Sequence, residues 1–275
     1  MLEIIEKRFH KQKQTWESVQ GKIFESHPEN RMGDEIQLSA LYKYFKQKNI
    51  EIHYQDANQL ISMINIMPDS LVKFSRKNKY KYPVLDLIGL WNWSPFLQAN
   101  NFYTENQIKY DDSQTEFDCV FIPYLAPDYY KARGIQNPEE VYLALKSKFK
   151  KTICVIDKNK KNHFKLNDNS LILSDNIYTS FKYIEKSKHY IGCDTGMTHY
   201  AGSIGHPRMT LLYPDDSDVL KVVMWQRYAI AYIFGEKDVL RFIPSSLPCC
   251  NPKNSNVINF TKNVDTKILL SSIKT

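Results

Sequence analysis

Long apolar runs are missing from this sequence. No stretch approaches the roughly 20 consecutive apolar residues that a helix needs to cross a bilayer, and no signal-peptide pattern opens the chain. Internal repeats and low-complexity linkers are absent as well. We therefore expect a cytoplasmic, globular protein. If the protein contacts lipid, we expect it to attach peripherally to the inner face of the inner membrane.

Cysteine is scarce and follows no pattern. The five cysteines are Cys119, Cys154, Cys193, Cys249 and Cys250. Their number is odd and they contain no C-x-x-C pair, so their spacing predicts neither a disulfide framework nor a zinc site. Together with the missing signal peptide, this indicates a reducing compartment. Three of them lie in or beside predicted buried strands, where cysteine acts as a small hydrophobic residue.

Two further absences narrow the class of ligand. No G-x-G-x-x-G follows a predicted first strand, which disfavours a dinucleotide dehydrogenase. The lysines are scattered and no recognised DNA- or RNA-binding motif is present, so we expect no nucleic-acid partner. Asp216-Ser217-Asp218 has the form of a D-x-D metal motif, but its position after a strand favours a loop and helix cap. We therefore predict no metal.

The chain has an apolar fraction of 43% over 275 residues, enough for one large α/β domain or two small ones. Its net charge of +7 at pH 7 favours an acidic partner. Candidates are a nucleoside diphosphate, an anionic glycolipid and an anionic membrane surface. The basic segment 2–19 is a helix candidate that either lies on such a membrane or packs against the body of the protein.

Strand and helix patterns alternate along the chain, which is typical of an α/β fold with parallel sheets. The predicted strands are 22–26, 50–54, 71–74, 84–89, 118–124, 152–157, 171–173, a short strand ending at 190–191, and 208–213. The predicted helices are 35–48, 58–67, 138–148 with Asn137 as its N-cap, 177–186, 196–203, and 264–273, which we expect to cross back to the first half. A polar segment near residue 112 separates the two predicted domains, 1–112 and 113–275.

The most informative segment is 189–214, HYIGCDTGMTHYAGSIGHPRMTLLYP. It predicts a strand, a tight turn, a helix beginning at Gly196 and a further strand. Such a unit places the helix N-terminus at the carboxyl edge of a parallel sheet, where its free N–H groups suit a phosphate or diphosphate. Asp194, just before the helix, is placed to accept hydrogen bonds from sugar hydroxyls. An ordinary crossover whose glycines serve packing alone is the alternative interpretation.

The sequence pattern D-T-G-x-x-H-x-A, followed by G-x-P and an apolar strand, resembles the donor-binding signature of glycosyltransferase family nine, the bacterial heptosyltransferases. The resemblance implies a GT-B-like fold, in which two Rossmann-like halves face an interdomain cleft. The second half would hold a nucleoside-diphosphate sugar. The donor-binding residues it implies are Asp194, Thr195, Gly196, Met197 and His199. For His199, a structural role with a hydrogen bond to a carbonyl is the alternative.

The resemblance also implies an activity. It is inverting, metal-independent transfer of a sugar, heptose from ADP-heptose by family precedent, to a cell-surface glycan such as lipopolysaccharide core or capsule. The donor is a co-substrate, and no separate cofactor is expected. Gly33-Asp34 resembles the loop that carries the family's catalytic base, so Asp34 is the candidate base, and an N-cap role is its alternative. Lys131 or Arg133 would contact donor phosphate, with solvated loop cations as the alternative.

Two other functions fit the same donor site. A sugar-nucleotide epimerase on this fold would need no polymeric acceptor. A catalytically silent binding protein would keep the nucleotide sugar without consuming it. The loop before Asp34 differs from the family's glycine-rich form because it contains Pro28, Glu29, Asn30 and Arg31, and this keeps the silent protein among the hypotheses.

Overall fold

The computed structural model describes residues 23–26, 51–55, 72–75, 84–85, 108–123, 134–159, 164–166, 168–193, 195–214 and 255–273. Several predictions fall elsewhere. The helices at 2–19, 35–48 and 58–67, the loop before Asp34, and Asp216-Ser217-Asp218 lie outside the described residues. The chain divides into two compact units, residues 1–108 with 221–249 and residues 109–220 with 250–275. The assignment of an acceptor and a donor role to two domains stays a prediction.

The first unit contains a parallel sheet of four strands. Its strands are β1 (Ile23–Ser26), β2 (Glu51–Gln55), β3 (Val72–Ser75) and β4 (Val84–Leu85). They lie in the order β3-β2-β1-β4, and every pairing is parallel. The four predicted strands of this half are therefore confirmed, the last of them over its first two residues.

The second unit contains a parallel sheet of six strands. Its strands are β5 (Phe117–Ile122), β6 (Thr152–Asp157), β7 (Leu171–Ser174), β8 (Ser187–Cys193), β9 (Met209–Pro214) and β10 (Ser255–Phe260). Its helices are α1 (Pro138–Lys148), α2 (Ile177–Glu185), α3 (Gly196–Ser203) and α4 (Thr266–Ser272). Helices α1 and α3 and strand β6 have the predicted bounds.

The strand order of the second sheet is β7-β6-β5-β8-β9-β10. Strands β6 and β7 extend the sheet on one side of β5. Strand β8 pairs with the other side of β5, and β9 and β10 extend the sheet from there. This is the doubly wound order of nucleotide-binding folds, and the direction of winding reverses between β5 and β8. Five consecutive residues of β8, His189–Cys193, are buried, as expected for a strand covered on both faces. The α/β fold class predicted from the sequence is confirmed.

The structure differs from the sequence-based predictions at strand β10, at helix α4 and at the side chain of Asn137. Strand β10 was missed because its two asparagines interrupt a short apolar pattern, and it is defined by parallel pairing with β9. Helix α4 does not leave for the first half, since it packs against α1 of its own unit. Asn137 occupies the predicted N-cap position of α1, but its side chain makes no capping bond to the helix.

Asn137 instead holds the C-terminal segment in place. Its amide Oδ1 accepts a hydrogen bond from the Val264 backbone N–H at 2.9 Å, and its Nδ2 donates to the Val264 carbonyl at 3.1 Å. Lys148, at the other end of α1, donates to the carbonyls of Leu270 and Ile273 at 2.6 and 2.8 Å. A cation at the carbonyl end of a helix is favourable. These contacts close the C-terminal helix onto α1.

A buried histidine stabilises the start of β8. His206 is 1% exposed, and its Nε2 donates to the Ser187 carbonyl at 3.0 Å. Its Nδ1 accepts from the Arg208 backbone N–H at 3.3 Å. Burial lowers the pKa of His206 to about 3. Burial, with smaller contributions from Arg208 and Lys148, lowers the pKa of His189 to about 4. Both imidazoles are therefore neutral in the folded protein.

We expect the folded protein to lose stability as the pH falls below 6.5, the ordinary histidine pKa from which both groups are lowered. The unfolded chain then binds protons that the folded chain does not, so the free energy of unfolding decreases toward pH 4. At about pH 5 the loss is up to about 2 kcal/mol per histidine. Denaturant unfolding at about pH 7 and pH 5 measures it. His206→Gln should have a smaller difference between the two pH values, and an unchanged difference would contradict the assignment.

Candidate functional site

A cleft of about 440 Å³ opens at the carboxyl ends of β5, β6, β7 and β8. It therefore spans the point between β5 and β8 where the strand order reverses, which is where open α/β sheets bind their ligands. The residues that line it are Ile122, Pro123, Val155, Ile156, Asp157, Ser174, Asp175, Asn176, Ile177, Ser180, Thr195, Gly196 and Met197. Volumes of this size accommodate cofactors and drug-sized ligands.

One end of the cleft is formed by the N-terminus of α3. Thr195 occupies the N-cap position with extended backbone angles, φ −144° and ψ 172°, yet its side chain makes no capping bond. Its Oγ1 atom is buried and has no hydrogen-bond partner among the described residues. The first N–H groups of a helix have no acceptor within the helix. This end of the cleft therefore presents a hydroxyl, N–H groups that the Thr195 side chain does not cap, and the positive end of a helix dipole.

Helix α3 is tied to the end of β8 by a chain of hydroxyl groups. The Tyr190 hydroxyl lies 2.8 Å from Thr198 Oγ1, and Thr198 Oγ1 donates to the Cys193 carbonyl. Tyr190 and Thr198 are fully buried. Tyr190 reaches Thr198 by passing over Gly192, where a Cβ atom would lie 2.2 Å from the Tyr190 hydroxyl and 3.2 Å from the Ile122 carbonyl oxygen. The glycine is thus required for the position of α3.

We expect Gly192→Ala to lower the free energy of unfolding by about 1–3 kcal/mol, the usual cost of overpacking a core. The added methyl group forces the Tyr190 hydroxyl away from Thr198, so the N-terminus of α3 shifts as well. Denaturant unfolding measures the loss. Tyr190→Phe in the same background removes the nearest clashing atom and should restore part of the stability. Additive effects of the two substitutions would contradict this packing.

A left-handed glycine ends α3. Gly205 has φ 75°, its N–H donates to the Gly202 carbonyl at 3.0 Å, and the His206 N–H donates to the Ala201 carbonyl at 3.0 Å. These are the two bonds of a Schellman motif. Pro207 follows at once and prevents the helix from continuing. The sequence G-H-P therefore specifies both where the helix stops and where β9 starts.

We expect Gly205→Ala to lower the free energy of unfolding by about 1 kcal/mol, the cost of a left-handed conformation for a residue with a Cβ atom. No atom lies within 4 Å of the position that this Cβ would take, so the loss measures backbone conformation alone. Gly205→Asn is the matched variant and should lose less, because asparagine tolerates this region. Equal losses for alanine and asparagine would show that the backbone conformation is not the cause.

Helices α2 and α3 are packed so that both of their N-termini line the cleft. The rings of Phe181 and Tyr200 stack with centroids 3.7 Å apart, and the Tyr200 hydroxyl donates to Glu185 at 2.5 Å. Asn176 caps α2 by accepting from the Thr179 N–H at 3.1 Å. The N-terminus of α2 therefore already has an acceptor from its own cap, whereas the side chain of Thr195 supplies none to α3.

The end of the cleft away from α3 is polar and acidic. Asp157 ends β6 and Asp175 follows β7, and both are exposed. Lys158 forms an ion pair with Asp175 at 2.8 Å. Carboxylates suit hydroxyl groups rather than phosphates. The two ends of the cleft thus favour different parts of one ligand, an anion at α3 and hydroxyl or amine groups at β6 and β7.

The structure brings together three of the predicted donor-binding residues, Thr195, Gly196 and Met197. His199 is 4% exposed and is not among the residues that line the cleft, so its contact with a ligand stays a prediction. Four predicted site residues lie outside the described residues: Asp34, Lys131, Arg133 and Asp194.

Sequence reasoning missed the β6 and β7 side of the cleft. Asp157 and Ser174 end the strands β6 and β7, and Asn176 follows β7 as the N-cap of α2. The sequence did contain a signal for these residues, because each lies at the carboxyl end of a predicted strand or just beyond it, where open α/β sheets bind ligands. The strand order, which the sequence does not reveal, decides that these ends meet α3. Among the described residues, no three histidine, cysteine or acidic side chains are grouped to hold a metal ion, and no described helix is long and apolar enough to span a bilayer.

Comparison with known proteins identifies the fold. No protein-family model and no curated protein matches the chain. The structure of E. coli heptosyltransferase WaaC with ADP is similar, with a TM-score of 0.50 and 10% identity over 91% of this chain and 98% of that one. E. coli ADP-heptose lipopolysaccharide heptosyltransferase II has a TM-score of 0.53 and 12% identity over 91% and 97%.

A family-nine glycosyltransferase from Veillonella parvula is similar to the same degree, with a TM-score of 0.52 and 10% identity over 91% of this chain and 95% of that one. At such identities the likeness concerns the fold, and it agrees with the predicted GT-B-like α/β class. That the two halves face a common cleft stays a prediction.

Proposed function

We propose that this protein is a glycosyltransferase that takes a sugar from a nucleoside-diphosphate donor. The observation that supports this most directly is the cleft at the strand reversal, with the N-terminus of α3 at one end, where the Thr195 side chain makes no capping bond. The buried Thr195 hydroxyl lacks a partner among the described residues, and a phosphate oxygen would supply one. The likeness to solved glycosyltransferases, one of them with ADP, agrees with a nucleotide donor.

The proposed ligand fits the cleft by its chemistry. The diphosphate would accept hydrogen bonds from the first N–H groups of α3 and from Thr195, with Lys131 or Arg133 as a further cation. Asp194 would accept hydrogen bonds from donor hydroxyls. The acidic side at β6 and β7 would meet the sugar or the nucleoside, whose hydroxyl and amine groups are donors. The charge of the ligand is thus matched by a dipole and by N–H groups.

The proposed reaction needs few groups. A hydroxyl oxygen of the acceptor attacks the anomeric carbon, the bond from that carbon to the diphosphate oxygen breaks, and Asp34 takes the hydroxyl proton. Negative charge develops on the leaving diphosphate, where the N-terminus of α3 stabilises it. Attack from the face opposite the leaving group inverts the anomeric centre. With the charge met by N–H groups and lysine or arginine, the proposal assigns no role to a metal.

The resemblance in the sequence suggests the finer identity. It indicates ADP-heptose as the donor and a cell-surface glycan or glycolipid, such as lipopolysaccharide core or capsule, as the acceptor. The protein would then work in the bacterial cytoplasm, at the inner face of the inner membrane. A silent nucleotide-sugar-binding protein and an epimerase are the alternatives, and both would bind the donor without transferring its sugar.

We expect calorimetry with a panel of nucleoside diphosphates and their sugars to identify one donor. Asp194→Ala should abolish its binding, because the donor hydroxyls lose their acceptor. Asp34→Asn should preserve binding but stop turnover, measured as slow hydrolysis of the donor. If Asp34→Asn leaves turnover unchanged, the base assignment is wrong. If no nucleotide binds, the whole proposal is wrong and the chain is an α/β protein of another function.

Thr195→Val provides a sharper test of the phosphate end. Because the Thr195 hydroxyl is buried without a described partner, its removal should leave the free energy of unfolding of the ligand-free protein unchanged or slightly higher. Donor binding should weaken about tenfold, the loss of one hydrogen bond to a charged group. Thr266→Val, at the first residue of α4, is the matched control and should change neither. Unchanged donor affinity in Thr195→Val would remove Thr195 from the site.

A further inference from the structure

A group of lysines lies at the end of the second sheet opposite the cleft. Five lysines lie where β6 and β8 begin and α2 ends, and we call them the basic edge. They are Lys150, Lys151, Lys182, Lys186 and Lys188. All except Lys186 are exposed residues, and the Lys186 side chain is still 31% accessible.

Backbone pairing brings the basic edge together. The Glu116 and Phe117 N–H groups donate to the Lys186 carbonyl at 2.8 and 3.1 Å, and the Asp118 N–H donates to the Lys151 carbonyl at 3.0 Å. The starts of three adjacent strands, β6, β5 and β8, therefore lie side by side. The lysines are distant in the sequence, and this pairing makes them neighbours.

Three carboxylates lie within or beside the basic edge, and one of them is Glu185, the last residue of α2. Glu116 pairs with Lys186, and Asp118 lies 3.4 Å from Lys188. The hydrogen bond from Lys186 lowers the pKa of Glu116, and Lys182 and Lys151 add to this effect, which places both of these lysines near the same carboxylate. Five lysines against these three carboxylates leave an excess of two positive charges at this end of the sheet.

This excess does not serve the cleft. At the carboxyl ends of β6 and β7, which border the cleft, the described charges are Asp157, Asp175 and Lys158, and Lys158 is paired with Asp175. The basic edge begins where the strands begin, so the full length of each strand separates it from the cleft. An anion bound at α3 would gain little from it, since water and salt screen charges beyond about 10 Å. A second, separate anionic partner accounts better for the distribution.

The residue type favours a membrane over a nucleic acid. The basic edge consists of lysines, which are mobile point charges on long stems and have no fixed fork for binding a single phosphate. The nearby Arg208 is occupied by Asp112 and by the Lys188 carbonyl at 2.8 Å. Diffuse attraction by several lysines is how proteins approach anionic bilayers, at about 1 kcal/mol per lysine near the surface.

We propose that the basic edge contacts the anionic surface of a lipid bilayer and holds the protein there peripherally. The contact is electrostatic, so it depends on salt and needs no insertion of apolar residues. It does not depend on the function of the cleft, because no residue of the basic edge lines it.

Sedimentation of the full chain with vesicles tests the proposal. We expect binding to vesicles of phosphatidylcholine with phosphatidylglycerol, no binding to phosphatidylcholine alone, and release as salt rises. The variant Lys150→Gln/Lys151→Gln/Lys182→Gln/Lys188→Gln should lower the partition coefficient at least about tenfold. Lys186 is left intact because it pairs with Glu116.

The matched control carries the same change of charge elsewhere on the unit. It is Lys158→Gln/Lys165→Gln/Lys262→Gln/Lys267→Gln, and it should bind anionic vesicles as the wild type does. Equal losses in both variants would show that only net charge matters, and no loss in either would place the contact elsewhere, for example in the basic segment 2–19. Failure of the wild type to bind, or tighter binding to a single-stranded oligonucleotide than to vesicles, would also overturn the proposal. Circular dichroism of both variants confirms that they are folded.

Discussion

The pairing of β5 with β8 is the contact on which the rest of the second unit depends. Five residue pairs from Phe117↔Ser187 to Ile122↔Gly192 align these strands in parallel. Because the chain adds strands outward in both directions from this pair, their carboxyl ends leave a crevice that no crossover covers. The cleft forms there. The N-terminus of the helix that follows β8 lines this crevice, and the proposed anion site needs no additional element.

Close packing around Gly192 and hydrogen bonds between hydroxyl groups fix the position of α3. Gly192 lets the Tyr190 ring lie flat enough for its hydroxyl to reach Thr198, and Thr198 bonds to the Cys193 carbonyl where the strand ends. At the other end Gly205 stops the helix after eight residues. The helix is thus held at both ends by its neighbours, and the Thr195 hydroxyl at its start has no hydrogen-bond partner among the described residues.

Charge is distributed along the strands in a way that separates two roles. Hydroxyl, amide and carboxylate groups lie at the carboxyl ends, around the cleft, whereas the lysines of the basic edge gather where the strands begin. In a parallel sheet all strands begin on one side and end on the other. Residues that precede the strands therefore lie at one end of the sheet, and residues that follow the strands lie at the other end. The same geometry produces the proposed donor site and the proposed membrane contact.

The sequence by itself determined the local elements. Periodic apolar residues, Pro138 at the start of α1 and the G-H-P stop after α3 act over a few residues, so the bounds of these elements were predictable, as was the position of Thr195 and Gly196 at the start of a helix. Tertiary structure alone decided which ends meet. The strand order brings Asp157 and Asn176 to the cleft. The side chain of Asn137 binds the Val264 backbone instead of capping its own helix. Strand β10 forms by parallel pairing with the edge of β9. Each depends on partners many residues away, and local propensity contains no information about them.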